Sequence, residues 1–290
     1  MKLTRLASLF SLMALFSINH CLAQSPVNKV TPSCGELITI TTHDASTTRY
    51  AYHAASPPDS ASAPITLLLL AGGSGYIDLD EQACPRALKG NSLIRMMPIF
   101  SALGFATALV DAPSDYHGVD GLGGYRIKPL HAQDLGKLIT DLRVRTQGAV
   151  WLVGTSRGTI SAVNAASRLT GSAAADGVVL TSALMSGQSN ARISWVAQSV
   201  FDLPLEEIHA PLLVIGHEKD GCPRSPSTLM GKILAQSKSA RQKMLTVTGG
   251  PGDQGSACEG YSAHGYITQE EEVASVIARF IRGENDVLKK

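Results

Sequence analysis

The fold is decided by the stretch Ala149-Val150-Trp151-Leu152-Val153-Gly154-Thr155-Ser156-Arg157-Gly158 and the Ala-rich run from Thr159 to Leu169 that follows it. Ala149 to Val153 is a short apolar run whose side chains suit a strand buried on both faces. Thr159 to Leu169 has helix length. Between them, glycines stand two before and two after a serine. Gly154 and Gly158 carry no Cβ, so a strand and a helix can approach closely around a strained turn. Such a turn lifts the Ser156 hydroxyl to the C-terminal edge of a sheet. It also sets the first free N–H groups of the new helix beside that hydroxyl, where negative charge is stabilised. A serine at an ordinary strand–helix turn is the plain alternative, so the rest of the chain has to decide.

Working outward, the pattern strand–helix–strand repeats. Strands are expected at 36–40, 49–53, 65–70, 106–110, 177–183, 212–216 and 244–248, in addition to 149–153. Helices are expected at 92–103, where Pro98 should kink or shorten the element, and at 131–145, 227–237 and 269–282. A short helix is expected around 193–200. This alternation predicts an α/β fold with a mostly parallel central sheet and helices on both faces. Residues 184–209 are too few for a large cap domain, so an open pocket is expected.

The chain has 290 residues, 44% of them hydrophobic, and a formal charge of +1. Residues 1–23 read as a secretory signal. Lys2 and Arg5 give it a positive start, residues 6–18 are mostly apolar but short for a membrane span, and Cys21-Leu22-Ala23 ends it with small residues. Gln24 would begin a mature chain, 24–290, forming one domain without a membrane span. A retained N-terminal anchor is the alternative; Asn19-His20 before Cys21 makes a poor lipoprotein signal. Removing Lys2 and Arg5 leaves 23 basic against 24 acidic side chains, a balance that marks neither nucleic acid nor an anionic membrane as partner. An exported protein, periplasmic or secreted, is expected. Without Cys21, the cysteines Cys34, Cys84, Cys222 and Cys258 form an even set, which in an exported chain points to two disulfides. No pair has zinc-ligand spacing, and no metal or cofactor is expected.

A serine hydroxyl needs a base to take its proton and a carboxylate to orient that base. Asp220 follows the strand centred on Val214, and His264 lies in the loop before the last helix. With Ser156 they sit at the ends of three separate strands. His217, close to Asp220, is the rival base. Cys222 lies two residues after Asp220 and Cys258 six before His264. If acid and base loops meet, a Cys222–Cys258 bridge fixes them together, and Cys34–Cys84 is the remainder. Gly72-Gly73-Ser74-Gly75 follows the apolar run 65–70; it lacks the spacing and the lysine of a nucleotide loop. Arg157 puts a cation at a helix N-terminus, which is mildly unfavourable. A salt bridge to a carboxylate such as Asp111 or Asp115 is the expected compensation; recognition of an acidic substrate is the other.

From about residue 36 to 282 the chain resembles the α/β-hydrolase superfamily. The likeness rests on Leu70 to Gly75, Val110-Asp111-Ala112-Pro113, Gly154 to Gly158, and Pro211 to His217 leading to Asp220, with His264 completing it. The resemblance implies catalysis by Ser156, His264 and Asp220, with the backbone N–H of Arg157 and of Gly73 or Ser74 as oxyanion donors. Many members have His-Gly where this chain has Ala71-Gly72, so the choice between Gly73 and Ser74 stays open. The expected function is hydrolysis of a small carboxylic ester through an acyl-enzyme, with activity falling on the acid side of neutrality as the base protonates. A peptidase or amidase on small substrates is the second reading, and a non-catalytic binding protein on the same fold the third.

Overall fold

A computed structural model describes residues 33–56, 64–190, 192–251 and 255–284. The expected leader, 1–23, and the start of the mature chain at Gln24 lie outside these residues. Eight strands, β1 (Glu36–Thr41), β2 (Thr47–His53), β3 (Ile65–Leu70), β4 (Ala106–Val110), β5 (Ala149–Thr155), β6 (Gly177–Thr181), β7 (Leu212–His217) and β8 (Gln242–Val247), form one sheet. Their order is β1-β2-β4-β3-β5-β6-β7-β8. β2 runs antiparallel to both neighbours, and the pairs from β4 through β8 are parallel.

Alternation along the strands makes two cores. Leu68, Leu70, Val150, Leu152, Val178, Leu180, Leu212 and Val214 face one side. There they meet α2 (Pro129–Thr146) through Leu135, Leu138 and Leu142, α3 (Gly158–Arg168) through Ile160 and Val163, and α4 (Met230–Gln236) through Met230 and Ile233. Leu67, Leu69, Leu109, Trp151, Val153, Leu213 and Ile215 face the other side. There they pack on α1 (Ser92–Ala102) through Leu93, Met96 and Phe100, and on α5 (Glu270–Arg282) through Val273, Val276 and Ile277. Each such side chain contributes about 1.5–3 kcal/mol when fully buried.

Local departures from expectation have local causes. α1 runs through Pro98 and ends one residue short of the expected span; the missing N–H costs one helical hydrogen bond, and the buried anchors Leu93, Met96 and Phe100 lie on both sides of the proline. The segment 193–200 forms a 3-10 turn, Ser194–Ala197, rather than a helix, and two more follow at Val200–Asp202 and Leu205–Glu207. No large cap is built between β6 and β7 among the described residues. The 227–237 region splits into a 3-10 turn, Ser227–Leu229, and α4. β8 starts two residues early, at Gln242, because an edge strand tolerates polar residues outward. The cysteines pair as Cys34–Cys84 and Cys222–Cys258. No helix among the described residues is long and apolar enough to cross a membrane.

Candidate active site

The C-terminal ends of β3, β5 and β7 and the loop before α5 converge on Ser156. The serine sits between β5 and α3 with φ +73°, a left-handed conformation that a non-glycine residue holds only under tertiary constraint. Two glycines make the constraint possible. A Cβ on Gly158 would lie 2.0 Å from the Leu70 carbonyl oxygen, and one on Gly72 would lie 2.9 Å from the Ser156 Cβ. The β3 end and the serine turn therefore touch backbone to backbone. Below the turn, the Ser156 N–H donates to the Thr181 carbonyl at 3.1 Å.

Ser156 Oγ lies 2.9 Å from His264 Nε2, and His264 Nδ1 lies 2.9 Å from Asp220 Oδ2. The other Asp220 oxygen accepts the Cys222 N–H at 2.9 Å. The Asp220 and His264 side chains are 1% and 4% exposed, so their interaction is hardly screened by water. A carboxylate on Nδ1 fixes the tautomer that leaves Nε2 free to accept the serine proton. The Cys222–Cys258 bridge joins the two loops that carry acid and base. The Cys222 sulfur clusters with Asp220 and His264, but it is bonded to Cys258, and the carboxylate and imidazole are bonded to each other. The three offer no free metal-ligand set.

His217, the rival base, is turned away. It is buried, its Nε2 pairs with Gln269 Oε1 at 2.8 Å, and its Nδ1 accepts the Lys219 N–H at 3.0 Å. Gly73 and Ser74 follow β3. Gly73 has φ +56° and, with Gly72, lines a cavity of about 260 Å³ beside Ser156 and His264 that Leu88, Asn91 and Tyr261 also line. Ser74 does not line this cavity. Its carbonyl accepts the Leu122 N–H at 2.8 Å and its hydroxyl the Tyr76 N–H at 3.3 Å.

Arg157 does not make the expected salt bridge to Asp111 or Asp115. The Asp111 carboxylate accepts the backbone N–H groups of Ile77, Leu79 and Ala112 at 2.7–3.0 Å and stands 3.7 Å from Arg49. Asp115 pairs with His43 at 3.0 Å. The Arg157 guanidinium instead lies on Trp195, with Cζ 3.8 Å from the ring centroid. Burial first, and then the like charge of Arg224, bring its pKa down to about 10, which still leaves it charged at neutral pH.

Three positioning residues were not singled out from sequence. The Ser182 hydroxyl donates to the His264 carbonyl at 2.7 Å, and the Tyr266 hydroxyl accepts the Ser182 N–H at 2.9 Å while donating to Ile215 O at 2.9 Å. Arg95 of α1 donates to the Gly265 carbonyl at 2.6 Å and to Glu270 at 2.8 Å. Together they hold the His264 turn from below and from the side. Tyr266, two residues past His264, carried a sequence signal by proximity; Ser182 and Arg95 carried none.

No protein-family model matches the chain, and no curated protein sequence is significantly similar to it. Solved structures are. A proline iminopeptidase from Mycobacterium smegmatis is similar with a TM-score of 0.59 at 12% identity, covering 86% of this chain and 98% of its own. An alpha-beta serine hydrolase homologue from Coxiella burnetii gives 0.56 at 13% identity over 86% and 98% of the two chains. A serine hydrolase without lid from Xanthomonas campestris gives 0.54 at 14% identity over 88% and 97%. At such identities shared architecture is what the likeness establishes, and it agrees with the strand order: this chain has the α/β-hydrolase fold.

Proposed function

We propose that the protein is an exported serine hydrolase acting on small carboxylic esters. The observation that carries this reading is the unbroken hydrogen-bonded series from Ser156 Oγ through His264 to Asp220. Ser156 attacks the ester carbonyl as His264 Nε2 takes its proton. Asp220 holds the imidazole in its tautomer and offsets the charge of the imidazolium. The negative charge forming on the carbonyl oxygen is met by the backbone N–H groups of Arg157 and Gly73. Gly73 is preferred to Ser74 because it lines the cavity beside the serine and Ser74 does not. His264 then protonates the leaving alcohol, and water releases the acyl group by the same steps in reverse roles.

Esters are preferred because they need less help at the leaving group than amides. The second reading, a small-substrate peptidase or amidase, draws on the likeness in fold to a proline iminopeptidase. The pair of disulfides supports export, since such bonds persist in oxidising compartments. A fluorophosphonate probe tests the chemistry. Covalent labelling at Ser156, lost in Ser156→Ala and in His264→Ala, is the expected result; folded wild-type protein that resists labelling would favour a binding protein on the hydrolase fold. Matched p-nitrophenyl esters and p-nitroanilides separate the first two readings.

A further inference from the structure

We propose that Arg157, supported by Arg224, recognises a carboxylate carried by the substrate, so that the esters turned over best bear a negative charge a short chain away from the reacting carbonyl. This rests on the serine-hydrolase reading above and names its substrate class. Arg157 follows the nucleophile directly in the chain. Its guanidinium lies over the Trp195 ring, with Cζ 3.8 Å from the centroid, a contact that restrains its orientation while its N–H groups can still act as a fork. Its Nη2 is buried and has no hydrogen-bond partner. A buried donor without an acceptor is costly, and such a group at a site points to an acceptor that arrives with the ligand.

The surroundings strengthen the case. Arg224 donates to the carbonyls of Ser186, Val196 and Gln198, and so holds the segment that carries Trp195. Arg126, fully buried, donates to Ser161 Oγ at 2.8 Å and to the Ala71 carbonyl at 3.0 Å, directly before the Gly72–Gly73 turn. Among the described residues none of the three is in an ion pair. Arg224 bears electrostatically on Arg157, and Arg157 on Arg126. Asp120 is the one acid that offsets Arg157, and it does so without direct contact, from an exposed position. Three guanidiniums outside any ion pair, coupled to one another through Arg157, leave the residue next to the nucleophile in need of negative charge. The developing oxyanion supplies some in every substrate. A substrate carboxylate supplies more, and it matches the planar fork that arginine presents.

The test uses matched esters of the intact enzyme: p-nitrophenyl butyrate against p-nitrophenyl hemisuccinate for charge on the acyl side, and acetates of a neutral and a carboxylate-bearing phenol for charge on the leaving side. Wild type is expected to favour at least one charged ester by about tenfold or more in kcat/KM, mainly through KM, since hydrogen bonds to charged groups carry that much. The ratio of charged to neutral should collapse in Arg157→Gln, survive in part in Arg157→Lys, shrink in Arg224→Gln, and fall with added salt. A cluster that served only the oxyanion would raise both members of each pair alike. Wild-type ratios near one, with neutral esters still hydrolysed, overturn the proposal and leave the hydrolase reading standing. Titration of Ser156→Ala with glutarate, followed by Trp195 emission against a Trp195→Phe control, reads binding without turnover. Saturable binding that Arg157→Gln removes supports the site even if no ester is hydrolysed, an outcome that would sink the hydrolase reading alone. No saturable binding overturns the site.

Discussion

At the scale of single residues, the site is a matter of backbone held where it would not go by itself. Ser156 at φ +73° stores about 1–3 kcal/mol that the surrounding sheet and helix must offset. Glycine occupies that region freely. Ser156→Gly should therefore be more stable than Ser156→Ala by about 1 kcal/mol, measured as urea midpoints at constant m. Gly72→Ala tests the opposite face. Its Cβ would meet the Ser156 Cβ at 2.9 Å and the Thr155 carbonyl at 3.0 Å, both on the rigid turn. The expected result is a folded protein whose kcat drops about tenfold or more, because small misplacement of a nucleophile is expensive in rate. Unchanged kcat in a protein with the wild-type circular dichroism would mean the β3 turn has room that the geometry denies it.

At the scale of elements, what could be read from sequence was whatever leaves a one-dimensional trace. The buried strands are continuous apolar runs, as at Leu67 to Leu70 and Leu212 to Ile215, and α2 shows a helical period through Leu135, Leu138 and Leu142. Ser156 and Asp220 were legible because each follows the end of such a strand, and His264 because it lies in the loop between the last strand and the last helix. The partner of Arg157 was not, since which side chain meets which is settled only when the 185–198 segment folds back over the sheet edge. The stacking on Trp195 leaves no spacing to find. The helix around Pro98 was legible too, and the packing of Leu93 and Phe100 on either side of the proline carries it through. The Cys222–Cys258 bridge closes a span of 36 residues, worth at most about 4 kcal/mol in chain entropy. Cys222→Ser/Cys258→Ser should lose part of that in denaturant. Its labelling rate at Ser156 should fall as well, since the His264 turn then loses its covalent tie to the Asp220 loop and keeps only non-covalent ones. A double variant that loses stability but labels at the wild-type rate would show the bridge to be irrelevant to the site.

At the scale of the whole molecule, the β1–β2 turn anchors a charge cluster of its own, buried at His43 and Asp134. His43, in the β1–β2 turn, bonds Asp134 of α2 at 2.6 Å and Asp115 beyond β4 at 3.0 Å. Tyr125 donates to Asp134 at 2.6 Å, the ring of Tyr116 stacks on Tyr125, and Lys137 reaches the Thr42 carbonyl. Burial opposes the charged imidazole, but the two carboxylates outweigh it, so the His43 pKa is raised. The folded state thus holds the proton more tightly than the unfolded chain. Its contribution is complete below the ordinary histidine pKa of about 6.5 and is lost as pH rises through the raised value. Asp115 works in the other direction: burial opposes its charge too, but the bond to His43 leaves its pKa lowered, and its contribution disappears as pH falls into the carboxylate range. Urea midpoints should decline in wild type as pH rises above the ordinary histidine range, and His43→Gln should remove that slope. A slope that persists in the variant would assign it to another group.

The β6–β7 segment, built only of short 3-10 turns in the described residues, has a kinetic corollary. Among the described residues nothing of domain size between β6 and β7 must swing aside before a reactant enters or a product departs, so on the proposed reading no lid movement sets the rate of turnover. Where a lid governs the cycle, a thicker solvent slows the catalyst in proportion; here sucrose or glycerol should leave kcat nearly flat.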